Sequence, residues 1–267
     1  MVNDIFLGYK NLNTLTLLFG AVVYSIEMYA DFSGYSDMAM GIARLLGFEV
    51  TQNFNYPFMA ENIADFWRRW HISLTSWLTE YVFTPLSIAF RDYGKIGIII
   101  SIILNFIICG IWHGANWTFV IWGLMHGLYF IPLILKDTFN KRKKVVKKSF
   151  TTTLTQLMNI FGTFMLVSIT LVLFRSNTLS EGFGIYKIIV SDSVQNFQQF
   201  FKSPPILKEL FYIIPILLLD IYKINNEKDL KINLPNPIFR WTLYFISIVI
   251  IFYFSNNTSN SFLYTQF

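Results

Sequence analysis

All three histidines of the chain fall in the stretch from Trp67 to His126, at His71, His113 and His126. An imidazole can act as a general base, bind a metal, or hydrogen-bond to a neighbouring helix. His113 and His126 lie in the run Ile96–Leu135, which contains no Asp, Glu, Lys or Arg. A polar ring in hydrocarbon costs free energy unless it has a partner or faces a wet cavity, so it marks a candidate functional site. The alternative is that each histidine only bonds across a helix interface.

Of the catalytic reactions that suit an imidazole, the sequence favours acyl transfer. A metal site needs clustered ligands, but the chain has no His-x-x-x-His or Cys-x-x-Cys pattern and a single cysteine, Cys109. The Gly-x-Ser-x-Gly pattern of serine hydrolases is also absent. Direct acyl transfer needs one imidazole to take the proton of an attacking hydroxyl and a second polar group to orient substrate. His71 and His113 meet that need without a metal ion or a bound cofactor.

The composition is that of a membrane protein. Apolar residues make up 54% of the 267 positions and charged residues only 14%, against about 25% charged in soluble domains. The mean hydropathy is +0.48. Continuous apolar runs of about twenty residues predict helices rather than the alternating strands of a barrel. We therefore predict an all-α, polytopic transmembrane helical bundle in a lipid bilayer, with no nucleic-acid partner.

We predict a single membrane domain, 1–267, with a motif-bearing part at 12–135 and C-terminal spans at 136–267. About seven membrane segments are expected. They are Leu12–Ala30, Ile63–Phe83, Ile96–Trp112, Trp117–Leu135, Leu154–Phe174, Ile206–Tyr222 and Trp241–Phe254. The second is different, because tryptophans follow a three–four spacing beside two arginines. That pattern predicts one amphipathic helix that lies in the interface or re-enters the membrane.

Two polar interruptions divide the apolar runs. The cluster Asp31–Asp37 predicts either a helix end with turn chemistry or a helix break that opens onto a polar cavity. The segment Trp112–Asn116 interrupts about forty uncharged residues, which are too many for one helix across a core of about 30 Å. We therefore predict a hairpin of two spans with His113 near its turn.

The lysine-rich segment Lys136–Lys148 predicts the orientation, because basic loops stay on the cytoplasmic side. The span before it then runs inward, which leaves His113 nearer the outer face. The polar loop Asn177–Lys202 is expected outside. Four further bases are expected on the inner side: Arg68, Arg69, Arg91 and Lys95.

Three motifs resemble the membrane-bound O-acyltransferases, in particular the bacterial branch typified by the alginate O-acetylation membrane protein. They read DFSGYSDMAMG from Asp31, DFWRRWHISL from Asp65, and GIWHGANWTF from Gly110. Two later segments, LFRS from Leu173 and FLYTQF from Phe262, resemble the late part of the same branch. The resemblance covers most of the chain, and the three motifs occur in the expected order.

This resemblance implies roles for the polar residues of the motifs. His113, in Trp-His-Gly, matches the histidine that acts as the catalytic residue in a tunnel through the membrane. His71 matches the second polar position of that tunnel and is expected to position the acyl carbonyl of the donor. Further residues are expected to contact substrate: Arg68, Arg69, Trp70, Asn116, Asp31 and Asp37.

The resemblance also implies the biological setting. Related proteins modify extracytoplasmic polymers from the bacterial cytoplasmic membrane, using an activated donor such as acetyl-CoA or an acyl-carrier thioester, with a partner acyltransferase outside. Members of this branch are nearly twice as long, so the chain is expected to correspond to a C-terminal half without the N-terminal spans. The alternative function is a non-catalytic fragment, or a transporter-like or scaffold subunit of a polymer modification system.

Overall fold

The computed structural model describes residues 2–139, 154–191, 213–214, 220 and 236–254, and the regular structure in these residues is entirely helical. The helices are α1 (Val2–Leu7), α2 (Thr14–Leu45), α3 (Ile63–Trp67), α4 (Ile72–Leu78), α5 (Thr84–Ala89), α6 (Gly94–His113), α7 (Trp117–Tyr129), α8 (Ile131–Leu135), α9 (Leu154–Arg175), α10 (Leu179–Ser191) and α11 (Pro237–Phe254). A π-helical turn at Thr79–Phe83 joins α4 to α5. The all-α prediction is confirmed for the described part of the chain.

Four described stretches are long and apolar enough to cross a membrane: Thr14–Leu45, Arg91–His113, Trp117–Leu135 and Leu154–Arg175. Each overlaps a span that the sequence predicts. A shorter apolar helix, Pro237–Val249, overlaps the predicted last span. The predicted span Ile206–Tyr222 and the lysine-rich segment fall mostly outside the described residues, so the count of seven stays a prediction.

The first span continues through the polar cluster Asp31–Asp37, where the sequence predicts a helix end or a break. Helix α2 is uninterrupted over 32 residues, which at 1.5 Å per residue is about 48 Å. The hydrocarbon core is only about 30 Å thick. The polar cluster begins about 25 Å from Thr14 at the same rise per residue, so the helix carries it toward the end of the core, where aspartates can meet water. The polar residues therefore lie within a continuous helix. The predicted helix end and the predicted break are both wrong.

Helices α6 and α7 form the predicted hairpin, and glycine allows their backbones to touch. A methyl group at Gly110 would overlap the carbonyl oxygen of Phe119, and one at Gly123 would overlap that of Phe106. Small residues at helix interfaces permit this close approach in membranes. At the other end of the hairpin, Nζ of Lys95 lies 2.7 Å from a carboxylate oxygen of Asp137.

The predicted interfacial helix Ile63–Phe83 is two helices separated by a tight bend. The chain turns after Trp67, and a second helical stretch runs from Ile72 to Ala89. It leads back along α6 from the His113 end to the Lys95 end, because His71 at the bend contacts Trp112 near the end of α6 and the carbonyl of Phe90, just after α5, lies against Gly97 near the start of α6. Arg68 and Arg69 therefore lie toward the end of α6 opposite Lys95. The expectation that they share a side with Lys95 is wrong.

Helix α9 packs against both α2 and α7, so it closes the bundle around the hairpin. Helix α10 follows it, within the region Asn177–Lys202 that the sequence predicts as a polar loop. The side chain of Thr178 accepts a hydrogen bond from the backbone N–H of Glu181 and caps the helix start. Ile185 is only 1% exposed, so burial of an apolar face stabilises a helix here, although the polar composition of the region predicts a loop.

Candidate active site

His113 is the last residue of α6, immediately before the turn of the hairpin. The turn ends at Asn116, whose side-chain oxygen accepts a hydrogen bond of 3.2 Å from the backbone N–H of Thr118 and caps α7. Side-chain capping of this kind replaces a missing intrahelical partner. The Asn116 amide also donates to the carbonyl of Asn177 at 3.0 Å, which ties the turn to the segment after α9. Asn116 thus has a structural role that positions His113.

His71 lies at the bend between α3 and α4, with a left-handed backbone (φ 44°, ψ 55°). A non-glycine residue in this region is strained unless its surroundings determine it. Two backbone hydrogen bonds do so, because Ile72 N–H donates to Asn53 O and Asn55 N–H donates to Arg69 O. The loop before α3 therefore holds the bend on both sides of His71.

The side chain of Asn53 extends this support to the imidazole. Its Oδ1 accepts the hydroxyl hydrogen of Ser73 at 2.7 Å, and Ser73 Oγ lies 3.4 Å from Nδ1 of His71. Since the single hydroxyl hydrogen of Ser73 is already donated, Nδ1 of His71 must be the donor in this contact. His71 is only 8% exposed, and burial lowers its pKa to about 4. The ring is therefore neutral at pH 7, with the proton on Nδ1.

The two histidines predicted from the sequence come together through Trp112. The Trp112 ring lies 4.9 Å from that of His113 and 6.0 Å from that of His71. Phe32 contacts the ring of His71 edge to face at 4.7 Å. An aromatic cluster thus joins the bend after α3 to the turn after α6.

A small cavity lies beside His113 in the interior of the bundle. Its free space is about 20 Å³, which is room for roughly one water molecule. It is lined by Met28, Phe66, Trp67, Trp70, His113, Trp122, His126, Val167, Leu171 and Phe174. Apart from its histidines and indoles the lining is apolar, so a bound group would be shielded from water. Interactions with charge are stronger in such a setting than in water.

His126 bonds across helix interfaces, which the sequence offers as the alternative to a functional role for each histidine. It accepts a hydrogen bond from Trp67 on α3 and contacts Thr170 on α9, and it is 1% exposed. Its ring also reaches the cavity wall. Trp70, predicted to contact substrate, lies in the same wall and stacks on Phe66 at 5.5 Å.

The other residues predicted to contact substrate lie away from the cavity. Arg69 forms an ion pair of 3.0 Å with Asp65, and Arg68 approaches the same carboxylate at 3.8 Å. Asp31 and Asp37 occupy the second half of α2, where Asp37 is exposed. The structure thus places the two arginines near His71 and leaves both aspartates on the long helix.

Several residues that line the cavity, or pack against its wall, are not identified from the sequence as site residues. Trp122 lies one helical turn before His126, a four-residue spacing that puts both on one face of α7. Phe174 belongs to the LFRS segment and contacts His113 edge to face at 5.0 Å. Tyr29 packs against Trp70 and donates a 2.9 Å hydrogen bond to Asp220. No local pattern signals Tyr29, because the contact spans 191 residues.

The chain is similar to proteins of one membrane family. Residues 13–176 match the membrane-bound O-acyltransferase family. The chain is 36% identical over 176 residues to a probable alginate O-acetylase of Azotobacter vinelandii, covering 64% of this chain and 32% of the relative. It is 38% identical over 167 residues to a peptidoglycan O-acetyltransferase of Helicobacter pylori, covering 62% and 30%. A teichoic acid D-alanyltransferase of Streptococcus thermophilus is 33% identical over 147 residues, covering 53% and 34%.

The matched part of the chain covers about a third of the length of these relatives. The matched region contains the four candidate membrane spans, the bend at His71 and the hairpin turn at His113. It also contains all three motifs that carry the resemblance, so that resemblance is confirmed. With a family match over more than half of its residues and four helices in its described part that are able to cross a bilayer, the chain is a multi-pass member of the membrane-bound O-acyltransferase family.

Proposed function

We propose that the chain carries out membrane O-acyl transfer, in which a short acyl group moves from an activated donor to a hydroxyl acceptor. The observation that carries this proposal is the placement of His113 beside a buried, mostly apolar cavity, with a second oriented histidine nearby. The family and the names of the relatives, which describe acetyl or D-alanyl transfer, support the same chemistry.

His113 is proposed as the general base. Its imidazole accepts the proton of the acceptor hydroxyl as the oxygen attacks the acyl carbonyl carbon. Rings of Trp122 and Phe174 contact it at 5.4 and 5.0 Å, and His113 itself is 8% exposed. These contacts fix the direction of the ring, which is what a proton transfer over hydrogen-bond distance requires.

His71 is proposed to orient the reacting groups. Its proton lies on Nδ1 toward Ser73, so Nε2 carries the lone pair and accepts a hydrogen bond. This favours contact with a hydrogen-bond donor of the substrate other than the attacking hydroxyl, such as a neighbouring hydroxyl of the acceptor, over the carbonyl-positioning role expected from the sequence. Asn can accept through its amide oxygen, so a His71→Asn enzyme should be less impaired than His71→Ala.

The size of the cavity supports a short acyl group. The free space of about 20 Å³ holds roughly one water molecule, so the cavity must enlarge for any acyl group, and an acetyl group requires the least movement of the aromatic wall. We therefore propose acetyl as the group transferred. Polysaccharide hydroxyls, or a partner acyltransferase outside the membrane, are the proposed acceptors.

The donor is proposed to be a cytoplasmic thioester, either acetyl-CoA or an acyl-carrier thioester, used at the bacterial cytoplasmic membrane. Both donors carry anionic phosphate groups.

The test is the replacement of His113 by Ala at the native chromosomal locus. General acid–base catalysis contributes about 10²- to 10⁴-fold, so ester-linked acetyl on the cell-envelope polymer should fall by that order. The measurement is alkali-released acetate from the purified polymer, normalised to the amount of this protein in the membrane. Met158→Ala, an exposed position on α9, is the matched control and should leave acetylation unchanged.

Normal acetylation in His113→Ala cells would contradict the enzymatic proposal. The remaining role would then be that of a non-catalytic, transporter-like or scaffold subunit. In that case deletion of the chain would reduce acetylation, whereas exchange of either His71 or His113 would not.

A further inference from the structure

Trp122 has a buried hydrogen-bond donor that is not satisfied within the described part of the chain. The residue is 3% exposed, and its indole nitrogen contacts no acceptor there. Buried indole N–H groups usually find a partner, and an exception requires an explanation. Trp67, on a neighbouring helix, follows the rule, since it donates to His126.

The position of Trp122 suggests what its N–H group is for. The indole lines the cavity that His113 also lines, and the two rings are perpendicular at 5.4 Å. Phe174 and His126 contact the same indole at 5.1 and 4.8 Å. The donor is therefore held in a fixed place beside the proposed base.

We propose that the N–H of Trp122 binds the carbonyl oxygen of the acyl group and stabilises the negative charge that forms on it during transfer. This rests on the proposed function and adds a catalytic residue to it. A preorganised donor aimed at a developing oxyanion, in a site without bulk water, is among the largest contributions to catalysis. The Trp122 N–H then lacks an acceptor in the free protein because its acceptor is the substrate carbonyl oxygen.

The proposed transfer forms one bond to the carbonyl carbon and breaks another. The acceptor oxygen forms a bond to the carbonyl carbon, the C=O π electrons move to the carbonyl oxygen beside Trp122, and His113 takes the hydroxyl proton. The intermediate then collapses, the C–S bond of the thioester breaks, and the leaving thiolate receives the proton from His113. A thioester and a hydroxyl give an ester and a thiol.

His71 does not supply this interaction in the arrangement observed. Its N–H is directed to Ser73, and Trp67 donates its indole N–H to His126. The carbonyl oxygen therefore requires a different hydrogen-bond donor, and the indole N–H of Trp122 can serve.

The first experiment removes the N–H and keeps the ring. Trp122→Phe, and replacement of Trp122 by 3-benzothienylalanine, in which sulfur takes the place of N–H, should each lower acetyl transfer per folded molecule by about 10²-fold. The benzothienyl side chain has almost the shape of indole, so it separates loss of the donor from loss of packing. Trp117→Phe, on the same helix but 69% exposed, is the control and should retain normal transfer.

The second experiment observes the hydrogen bond directly. The probe is the non-reactive ketone analogue of S-acetyl-pantetheine, ¹³C-labelled at its carbonyl, since CoA and acyl-carrier thioesters share the pantetheine arm. Isotope-edited infrared spectra should show a lower carbonyl stretching frequency with the wild-type protein and with His113→Ala than with either Trp122 replacement. Equal frequencies in all of them would mean that an aromatic face satisfies the Trp122 N–H, which would overturn the proposal.

The two proposals fail in different ways. If His113→Ala abolishes transfer but the benzothienyl protein keeps the wild-type rate, the role of Trp122 is wrong and the proposed function stands. If both proteins keep the wild-type rate, the proposed function is wrong, and the role of Trp122 with it.

Discussion

The indole N–H of Trp67 donates a hydrogen bond of 3.2 Å to Nδ1 of His126. Because Nδ1 accepts, the proton of the neutral ring lies on Nε2, 3.0 Å from Oγ1 of Thr170. The hydroxyl of Thr170 in turn donates to the carbonyl of Val167 at 2.7 Å. One imidazole therefore joins α3, α7 and α9 through a chain of hydrogen bonds with a single direction, in which every polar group is used.

This chain predicts that His126 acts in stability rather than in acyl transfer. His126→Ala would leave the buried N–H of Trp67 without an acceptor and should lower the free energy of unfolding by about 1–3 kcal/mol. His126→Gln should restore much of that loss, since an amide both donates and accepts. Thermal unfolding of the detergent-solubilised protein measures the change. Acetyl transfer per folded molecule should stay close to normal in His126→Gln, and its loss in a well-folded His126→Gln protein would contradict this role.

The sequence predicts the hairpin and its chemistry because both depend on local patterns. A run without charged residues is too long for one helix, and the polar segment at His113 marks its turn. Asp31–Asp37 shows the limit of such patterns, because glycine and aspartate favour turns locally but a helix of 32 residues can place them beyond the apolar core. Whether this segment forms a turn or continues the helix depends on its position in the tertiary structure, which the composition does not show.

The cavity shows the same limit in a different form. Met28, Trp122 and Phe174 line it together with His113 from three other positions in the chain, and no spacing in the sequence connects them. The bend at His71 is equally hidden, since its left-handed backbone depends on hydrogen bonds from the loop containing Asn53. The motifs thus identify His71 and His113. The residues that line the cavity and those that hold the bend can be identified only from the three-dimensional structure.

Ser73 is predicted to position His71. Removing its hydroxyl in Ser73→Ala takes away the acceptor for Nδ1 and should lower acetyl transfer by up to about 10²-fold, since small displacements of a reacting group can cost that much. Ser73→Thr keeps the hydroxyl and should restore transfer, which a purely structural role would not require. The assay is polymer acetylation per folded molecule, with Ser76→Ala, an exposed residue of the same helix, as the control. Equal transfer in the Ala and Thr proteins would refute the positioning role.

Gly123 is predicted to control the closeness of α6 and α7. A methyl group there would overlap the carbonyl oxygen of Phe106, so Gly123→Ala should destabilise the protein by about 1–3 kcal/mol through overpacking. Gly162→Ala is the matched control, because no atom lies within 4 Å of the place its methyl group would occupy and alanine favours helix. Thermal unfolding in detergent should show a lower midpoint for Gly123→Ala only. A midpoint as low in the control would indicate a general effect of losing glycine.

The pKa of His71 predicts a pH dependence of stability. Burial lowers that pKa to about 4 from about 6.5 in the unfolded chain, so the unfolded state binds more protons between these values. The contribution of neutral His71 is complete above about pH 6.5 and is lost progressively as the pH falls toward 4. His71→Asn removes the titrating group, so its unfolding free energy should decline less than that of the wild type over this range. Parallel curves for the two proteins would show that His71 does not titrate as expected.

The hairpin and the basic loop together predict which end of α6 faces the cytoplasm. Asp92 lies just before α6 and Ala115 lies in the turn after it, and both are exposed. The only native cysteine, Cys109, is fully buried and should give no background labelling. If the lysine-rich segment after α8 is cytoplasmic, a cysteine at Ala115 should react with a membrane-impermeant maleimide in intact cells, whereas one at Asp92 should react only after the membrane is opened. Lys144→Cys should behave like Asp92→Cys, and the reverse pattern at Asp92 and Ala115 would place His113 at the inner face.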